Sequence, residues 1–221
     1  MSEKIKAGIT LGDVNGIGPQ VVIKALIDNR MTELCTPVIY GSAKVLSFYK
    51  KRIEGAENFQ YELVKNASEA RSGRVNLVNC MDDNLRIEPG ARTPEAGKAA
   101  VDALETVVAD VKAGLIDVIV TAPICKENAQ GENFMFPGHT EYFAERFGGQ
   151  PLMMLCSEML RVGLVTTHLP ISQVSMGITR EHIVSQLRLM RHSLIADFSV
   201  VEPKIAVLAL NPHSGDGGLL G

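Results

Sequence analysis

"TPEAGKAAVDALETVVADVKAGLIDVIVTAP", residues 93–123, is the stretch that decides the fold. Ala100, Leu104, Val107, Val108 and Val111 recur at i, i+4, i+7, i+8 and i+11, so they share one face of a helix that Gly114 ends. The run at 116–123 that follows is mostly apolar and reads as a buried strand. A strand of that kind is buried on both faces, as in a mainly parallel sheet covered by helices.

The same alternation extends in both directions. Residues 4–13 read as a strand entering a loop, and 16–28 as a helix with Gly18 at its N-cap and Pro19 at the first helical position. "TPVIYG" (36–41) is a second strand followed by helical "SAKVLSFYKKR"; "FQYELV" and "RVNLVNC" are further candidate strands. "GHTEYFAERFG" (138–148) is a short helix between two glycines. "PLMMLCS", "RVGLVTTH" and "QVSMGI" read as strands in quick succession, with an antiparallel pair among them. A helix at 179–194 carries the stripe Ile183, Leu187, Met190 and Leu194, and "KIAVLALNPH" (204–213) is the last strand. There is no internal repeat or low-complexity linker. The weak periodicity of "TAPICKENAQGENFMFPG" places a boundary there, giving an α/β domain at 1–125 and a second, incomplete at its C-terminus, at 126–221.

Composition narrows the classes. The chain has 221 residues, 46% of them apolar, enough for a sizeable core. A net charge of −3 with scattered basic residues argues against a nucleic-acid or anionic-membrane binder. Cys35, Cys80, Cys125 and Cys156 form no C-x-x-C pair and read as reduced thiols of a cytoplasmic protein. The N-terminus lacks the apolar stretch of a signal peptide, and no apolar run approaches the ~20 residues of a membrane helix.

Ligands of open α/β sheets sit beyond the carboxyl ends of the strands. Four loops there are rich in Gly, Asp, His and Thr. "GDVNGIGP", with Asp13, Gly16 and Gly18, suits an anion held by free N–H groups at a helix start, or is simply a tight strand-to-helix turn. Lys126 in "TAPICK" is a candidate cation for an anionic substrate, or a solvated lysine. His168 in "TTHLP" and His213 in "NPH" each stand where a strand ends, beside a proline. They suit two ligands of one metal ion, with Asp216 a nearby third candidate, or two hydrogen-bonded loop histidines. His139 and Thr140 open the helix at 138–148, where an anion or an ordinary cap would sit. His182 and His192 read as surface residues.

"GITLGDVNGIGPQ", "TAPICKENAQ", "FPGHTEYFAERFG", "MLRVGLVTTHLPIS" and "LNPHSGDGGLLG" occur in that order along the chain. Together they resemble the 4-hydroxythreonine-4-phosphate dehydrogenase family. The resemblance implies α/β/α layers similar to isocitrate and isopropylmalate dehydrogenases, two domains around a cleft, and a homodimer. It implies NAD as cofactor without a Rossmann G-x-G-x-x-G loop. It also implies a divalent metal (zinc, magnesium, cobalt or manganese) at the dimer interface. His139 and Thr140 match the family's substrate-binding pair, and His168 and His213 match two of its three metal-binding histidines. The third lies beyond the segment seen here, as do much of the cofactor site and further substrate contacts, so a truncated and inactive chain is expected. "DVN" stands where the family has "DPA", and Asp216 where it has Glu.

The implied reaction oxidises 4-phosphohydroxy-L-threonine to a β-keto acid that decarboxylates to 3-amino-2-oxopropyl phosphate, in pyridoxal phosphate biosynthesis. No residue is identified as the general base. Two alternatives stand beside it: a paralogous dehydrogenase of a threonate or erythronate phosphate, and a non-catalytic phosphate- or metal-binding module.

Overall fold

Every residue of Thr36–Gly41 is buried, a pattern that requires cover on both faces of its sheet. The computed structural model, which describes residues 4–130 and 134–220, places this strand in a five-stranded sheet. The strands are β1 (Lys6–Thr10), β2 (Thr36–Gly41), β3 (Glu62–Val64), β4 (Asn76–Asn79) and β5 (Val118–Thr121), in the order β3-β4-β2-β1-β5. All four pairings are parallel. The expectation of an α/β chain with a mainly parallel sheet is met.

Between the strands run α1 (Gly18–Leu26), α2 (Arg30–Leu34), α3 (Ala43–Lys50) and α4 (Pro94–Lys112). The chain moves from β1 to β2 toward one edge, then returns through α4 to β5 on the other side of β1. Right-handed crossovers of opposite sense set α1 and α4 on opposite faces. The α4 side is packed through small residues. Ala96, Ala99, Ala100 and Ala103 are buried there, and a Cβ on Gly8 of β1 would stand 2.6 Å from Val107 Cγ2. Thr93 caps α4 by accepting a hydrogen bond from the Ala96 N–H at 3.3 Å, and Pro94 occupies the first turn. Gly114, at φ 70°, turns the chain out of the helix.

Beyond β5 come α5 (Lys126–Ala129) and α6 (His139–Phe147). Phe134, Tyr142 and Ala129 are buried with Val101, Leu104 and Val108 of α4, and Phe136 and Phe143 pack against them. This aromatic cluster ties residues 126–146 to the first compact unit, which divides from the second between Arg146 and Phe147. The sequence-derived boundary at 125/126 therefore falls inside the first unit.

In the second unit, β6 (Met154–Cys156) and β7 (Arg161–Gly163) form the expected antiparallel pair, with Leu155 opposite Val162. They are followed by α7 (Ile171–Gly177) and α8 (Arg180–Ala196). Met190 of α8 lies over Gly163, its Sδ 3.2 Å from where a Cβ would be, and Leu194 is buried.

Three sequence expectations are corrected here. "QVSMGI" is not a strand but falls largely within α7, a helix starting directly after Pro170, where the Gln173 N–H turns back to the Pro170 carbonyl at 2.8 Å. "KIAVLALNPH" forms no strand, and Val207, Leu208 and Leu210 are exposed. A strand exists only through a ladder partner, and none of the described strands pairs with this run. His182 is half-buried rather than superficial: its Nδ1 lies 3.0 Å from the Gly177 carbonyl, joining α8 to α7. No helix among the described residues is long and apolar enough to cross a membrane.

Candidate functional site

The reversal of chain direction makes the carboxyl ends of β1 and β5 the switch point of the sheet, where ligands of such folds bind. The two loops there touch directly. The Asp13 N–H donates to the Pro123 carbonyl at 3.0 Å, and a Cβ on Gly12 would stand 2.3 Å from that same oxygen. Gly12 also holds φ at 66°, so both space and conformation call for glycine. A Cβ on Gly18 would stand 2.3 Å from the Leu11 carbonyl oxygen, so that glycine serves the seating of α1 against the end of β1.

Asp13 is buried and its carboxylate is already committed. Oδ1 accepts from the Asn15 N–H at 2.8 Å, and Oδ2 from Asn128 Nδ2 at 3.2 Å. The Gly16 N–H donates to the Asp13 carbonyl at 3.0 Å. These contacts give Asp13, Gly16 and Gly18 a packing role in a tight strand-to-helix turn, one of the two readings open for this loop. The loop also fastens the start of α4. Buried Asn15 donates through Nδ2 to the Ala91 carbonyl (3.1 Å) and to Thr93 Oγ1 (3.3 Å), and accepts from the Glu88 N–H (2.7 Å).

Chemically versatile groups gather one step outward, where α5 meets the start of α6. The Gly138 carbonyl receives the Tyr142 N–H at 3.3 Å, so Gly138 stands at the head of the helix with His139 and Thr140 in its first turn. Lys126, the first residue of α5, folds toward this point, its Cε 4.0 Å from where a Cβ on Gly138 would be. The His139 ring stacks on Phe143, with centroids 6.1 Å apart and planes 16° apart. Its Nε2 is buried without a hydrogen-bond partner. Burial, and secondarily the Lys126 charge, hold this imidazole below the ordinary histidine range, so it is neutral at pH 7. Lys126, His139 and Thr140 are thus brought together as a cation, a neutral imidazole and a hydroxyl at a helix N-terminus, a set suited to an oxyanion. A cavity of about 870 Å³ lies along α4 and α5, and none of the expected site residues lines it.

In the second unit His168 and His213 are both exposed. His168 has φ 53°, and Ser214 and Asp216, beside His213, have φ 51° and 42°, all in the left-handed region that side chains disfavour. Asn211 organises the second loop. Its Oδ1 accepts from the His213 N–H at 3.0 Å and its Nδ2 donates to the Leu220 carbonyl at 2.6 Å. No group of three or more His, Cys, Asp or Glu that could hold a metal ion occurs among the described residues. The described residues by themselves therefore fall short of a metal donor set.

Asn15 and Asn128 were missed by sequence reasoning. Asn15 stands in a loop picked out for its glycines, and an asparagine in a loop is ordinary in composition; only its burial reveals it as the fastener of the α4 start.

Comparison with known proteins finds relatives across the length of this chain. A family model described as "Pyridoxal phosphate biosynthetic protein PdxA" matches residues 33–221. The 4-hydroxythreonine-4-phosphate dehydrogenase of Bacteroides thetaiotaomicron is 50% identical over 220 residues, covering 99% of this chain and 60% of that protein. The protein of the same name from Aquifex aeolicus is 38% identical over 98% of this chain and 66% of its own length. A relative in Oceanobacillus iheyensis, provisionally named a D-threonate 4-phosphate dehydrogenase, is 33% identical over 100% of this chain and 67% of its own. The crystal structure of a 4-hydroxythreonine-4-phosphate dehydrogenase from Burkholderia phymatum superposes with a TM-score of 0.84 at 32% identity, covering all of this chain and 67% of that one. The chain thus spans about two thirds or less of the length of these relatives, and over that span it belongs to the PdxA family of pyridoxal phosphate biosynthetic proteins.

Proposed function

We propose that the protein to which this chain belongs is an NAD-dependent oxidoreductase acting on the secondary hydroxyl of 4-phosphohydroxy-L-threonine. The β-keto acid formed loses carbon dioxide to give 3-amino-2-oxopropyl phosphate. The observation that carries this reading is the 50% identity, sustained over 220 residues, to a relative named for that activity. The grouping of Lys126, His139 and Thr140 at the start of α6 supports it, because the substrate brings a phosphate and a carboxylate to be held.

In this reading His139 and Thr140 bind and orient the substrate, with Lys126 offsetting its negative charge. His168 and His213 are two ligands of a divalent metal at the interface of a homodimer, and the site lies in a cleft between two domains of isocitrate-dehydrogenase type. The described residues supply two such imidazoles and no group of three donors, so no chemical step is assigned to a metal here. The Gly12 and Gly18 backbones of the turn after β1 pack against Pro123 and Leu11, and no step is assigned to NAD through this turn. A cytoplasmic location accords with the free thiols.

The 33% identity to the provisionally named D-threonate 4-phosphate dehydrogenase favours a second reading, oxidation of a phosphorylated sugar acid. One assay separates them. The complete gene product and this 221-residue chain are each given NAD, a divalent metal and either 4-phosphohydroxy-L-threonine or D-threonate 4-phosphate, and NADH is followed, with and without a chelator. The proposal expects NADH from the complete protein with the amino acid phosphate, abolished by chelation. Preference for the sugar acid would support the second reading, and no NADH with either substrate would refute both.

A further inference from the structure

The two nitrogen-bearing side chains at the head of α6 are not equivalent. An imidazolium donates from both ring nitrogens. His139 Nε2 is buried and has no acceptor, so a charged ring would strand a buried N–H. A neutral ring has one proton, and it sits better on Nδ1 than on a sealed nitrogen with nothing to receive it. Nδ1 is then the ring nitrogen left to meet a ligand. Lys126 reaches the same point from α5 and is exposed. Among the described residues, Lys126 and Glu141 bring charged side chains close to Gly138: the Lys126 Cε lies 4.0 Å and the Glu141 Oε2 3.6 Å from where a Cβ on Gly138 would be. Lys126 is the one that acts on the ring, and it acts in the same direction as burial.

We propose that Lys126 is the fixed positive charge of this site and His139 its neutral, Nδ1-protonated hydrogen-bond donor, the two receiving one oxyanion of the substrate between them. The division has a chemical reason. Two adjacent cations would repel each other in the empty site, whereas one cation and one neutral donor can stand close together and still match an anion's charge and lone pairs. Lys126 is here a positioning residue for His139 as well as a binding residue. The proposal rests on the reading of His139 as a substrate ligand.

The experiment uses this chain with ¹⁵N-labelled histidine, His139 being assigned by the signal that disappears in His139→Gln. Nitrogen shifts report tautomer and charge directly. Inorganic phosphate and acetate are titrated separately, distinguishing a phosphate from a carboxylate as the oxyanion received. The expected result is an Nδ1–H tautomer at pH 7, a ring response to at least one anion, and a titration midpoint that rises toward the ordinary histidine range in Lys126→Met. Lys126→Met should also weaken that anion's binding roughly two- to fivefold, the scale of an exposed charge pair, and Lys126→Arg should restore both properties. An Nε2–H tautomer overturns the proposal. A ring that responds to an anion while Lys126→Met changes neither midpoint nor affinity overturns the division of roles alone. A ring indifferent to both anions removes the reading of His139 on which it stands.

Discussion

Gly97→Ala tests whether α5, and with it Lys126, is held by direct contact with α4. A Cβ on Gly97 would stand 1.8 Å from the Asn128 carbonyl oxygen, 2.4 Å from its carbon and 2.9 Å from the Ala129 nitrogen. All three are backbone atoms, so no side-chain rotation relieves the clash. The α5 turn must retreat by roughly 1.5 Å to recover ordinary contact distances near ~3.5 Å. Overpacking of this kind costs about 1–3 kcal/mol, and the overlap argues for the upper end. Alanine's better helix propensity returns about 1 kcal/mol. The net expectation is a loss of about 2 kcal/mol, or roughly 4–8 °C in the unfolding of the first unit. Gly149→Ala is the control: nothing lies within 4 Å of its Cβ position, so it should be neutral or slightly stabilising. Urea and thermal unfolding followed by circular dichroism measure both. The shifted turn carries Lys126, so the His139 titration should move as well. A Gly97→Ala chain as stable as the parent, with an unmoved His139 midpoint, would show that α5 is not seated by this contact.

Asn15→Ala removes three hydrogen bonds at once and leaves the Glu88 N–H and Ala91 carbonyl without their partner, so it should cost about 2–3 kcal/mol and raise amide exchange across 86–96. Undiminished protection there would refute the fastening role. Burial, then the Lys126 charge, disfavours the charged form of His139 and holds it below the ordinary histidine value of 6.5. The folded state therefore binds that proton less readily than the unfolded chain, and the contribution present above pH 6.5 is lost as pH falls from there through the lower folded-state value. Unfolding midpoints measured from pH 7.5 down to 5 should fall less steeply in His139→Gln; identical slopes would count against it.

Legibility in the sequence followed the range of the interaction that each element depends on. α4 was readable because its apolar stripe repeats along a single helix; β5 was readable as a strand, but it is the edge of the sheet with Val118 and Val120 exposed, so the burial on both faces expected of it is not met. The helix at 139–147 was readable from its flanking glycines. The apolar run before His213 carries the same residue types as β2 yet forms no strand, because pairing depends on another segment and is invisible locally. Gly18 left two readings open, since glycines before a helix suit an anion cradle or a tight turn; the distances from Gly12 to Pro123 and from Gly18 to Leu11 show backbone meeting backbone at this turn, which no local pattern reveals. The role of Lys126 likewise depends on how α5 sits against α6.

The backbone of the second unit bears on why those histidines are there at all. Its non-glycine residues at positive φ are His168, Ser199, Ser214 and Asp216. Each sits in a conformation that costs of order 1 kcal/mol and that glycine adopts freely. A loop needing only to turn would be cheaper with glycine, and "NPHSGDGG" already uses glycine at Gly215, Gly217 and Gly218, all at positive φ. Three of the four strained residues lie on the two histidine loops, so the strain is concentrated where the sequence placed its candidate ligands. At His168 the strained residue is the imidazole itself; around His213 it is the pair that follows, which turns the chain back so that the Asp216 N–H meets the His213 carbonyl at 3.0 Å. A side chain held in such a conformation points to a role beyond turning the chain. The strain at His168 is an observation of the backbone itself that supports the ligand role proposed for it above.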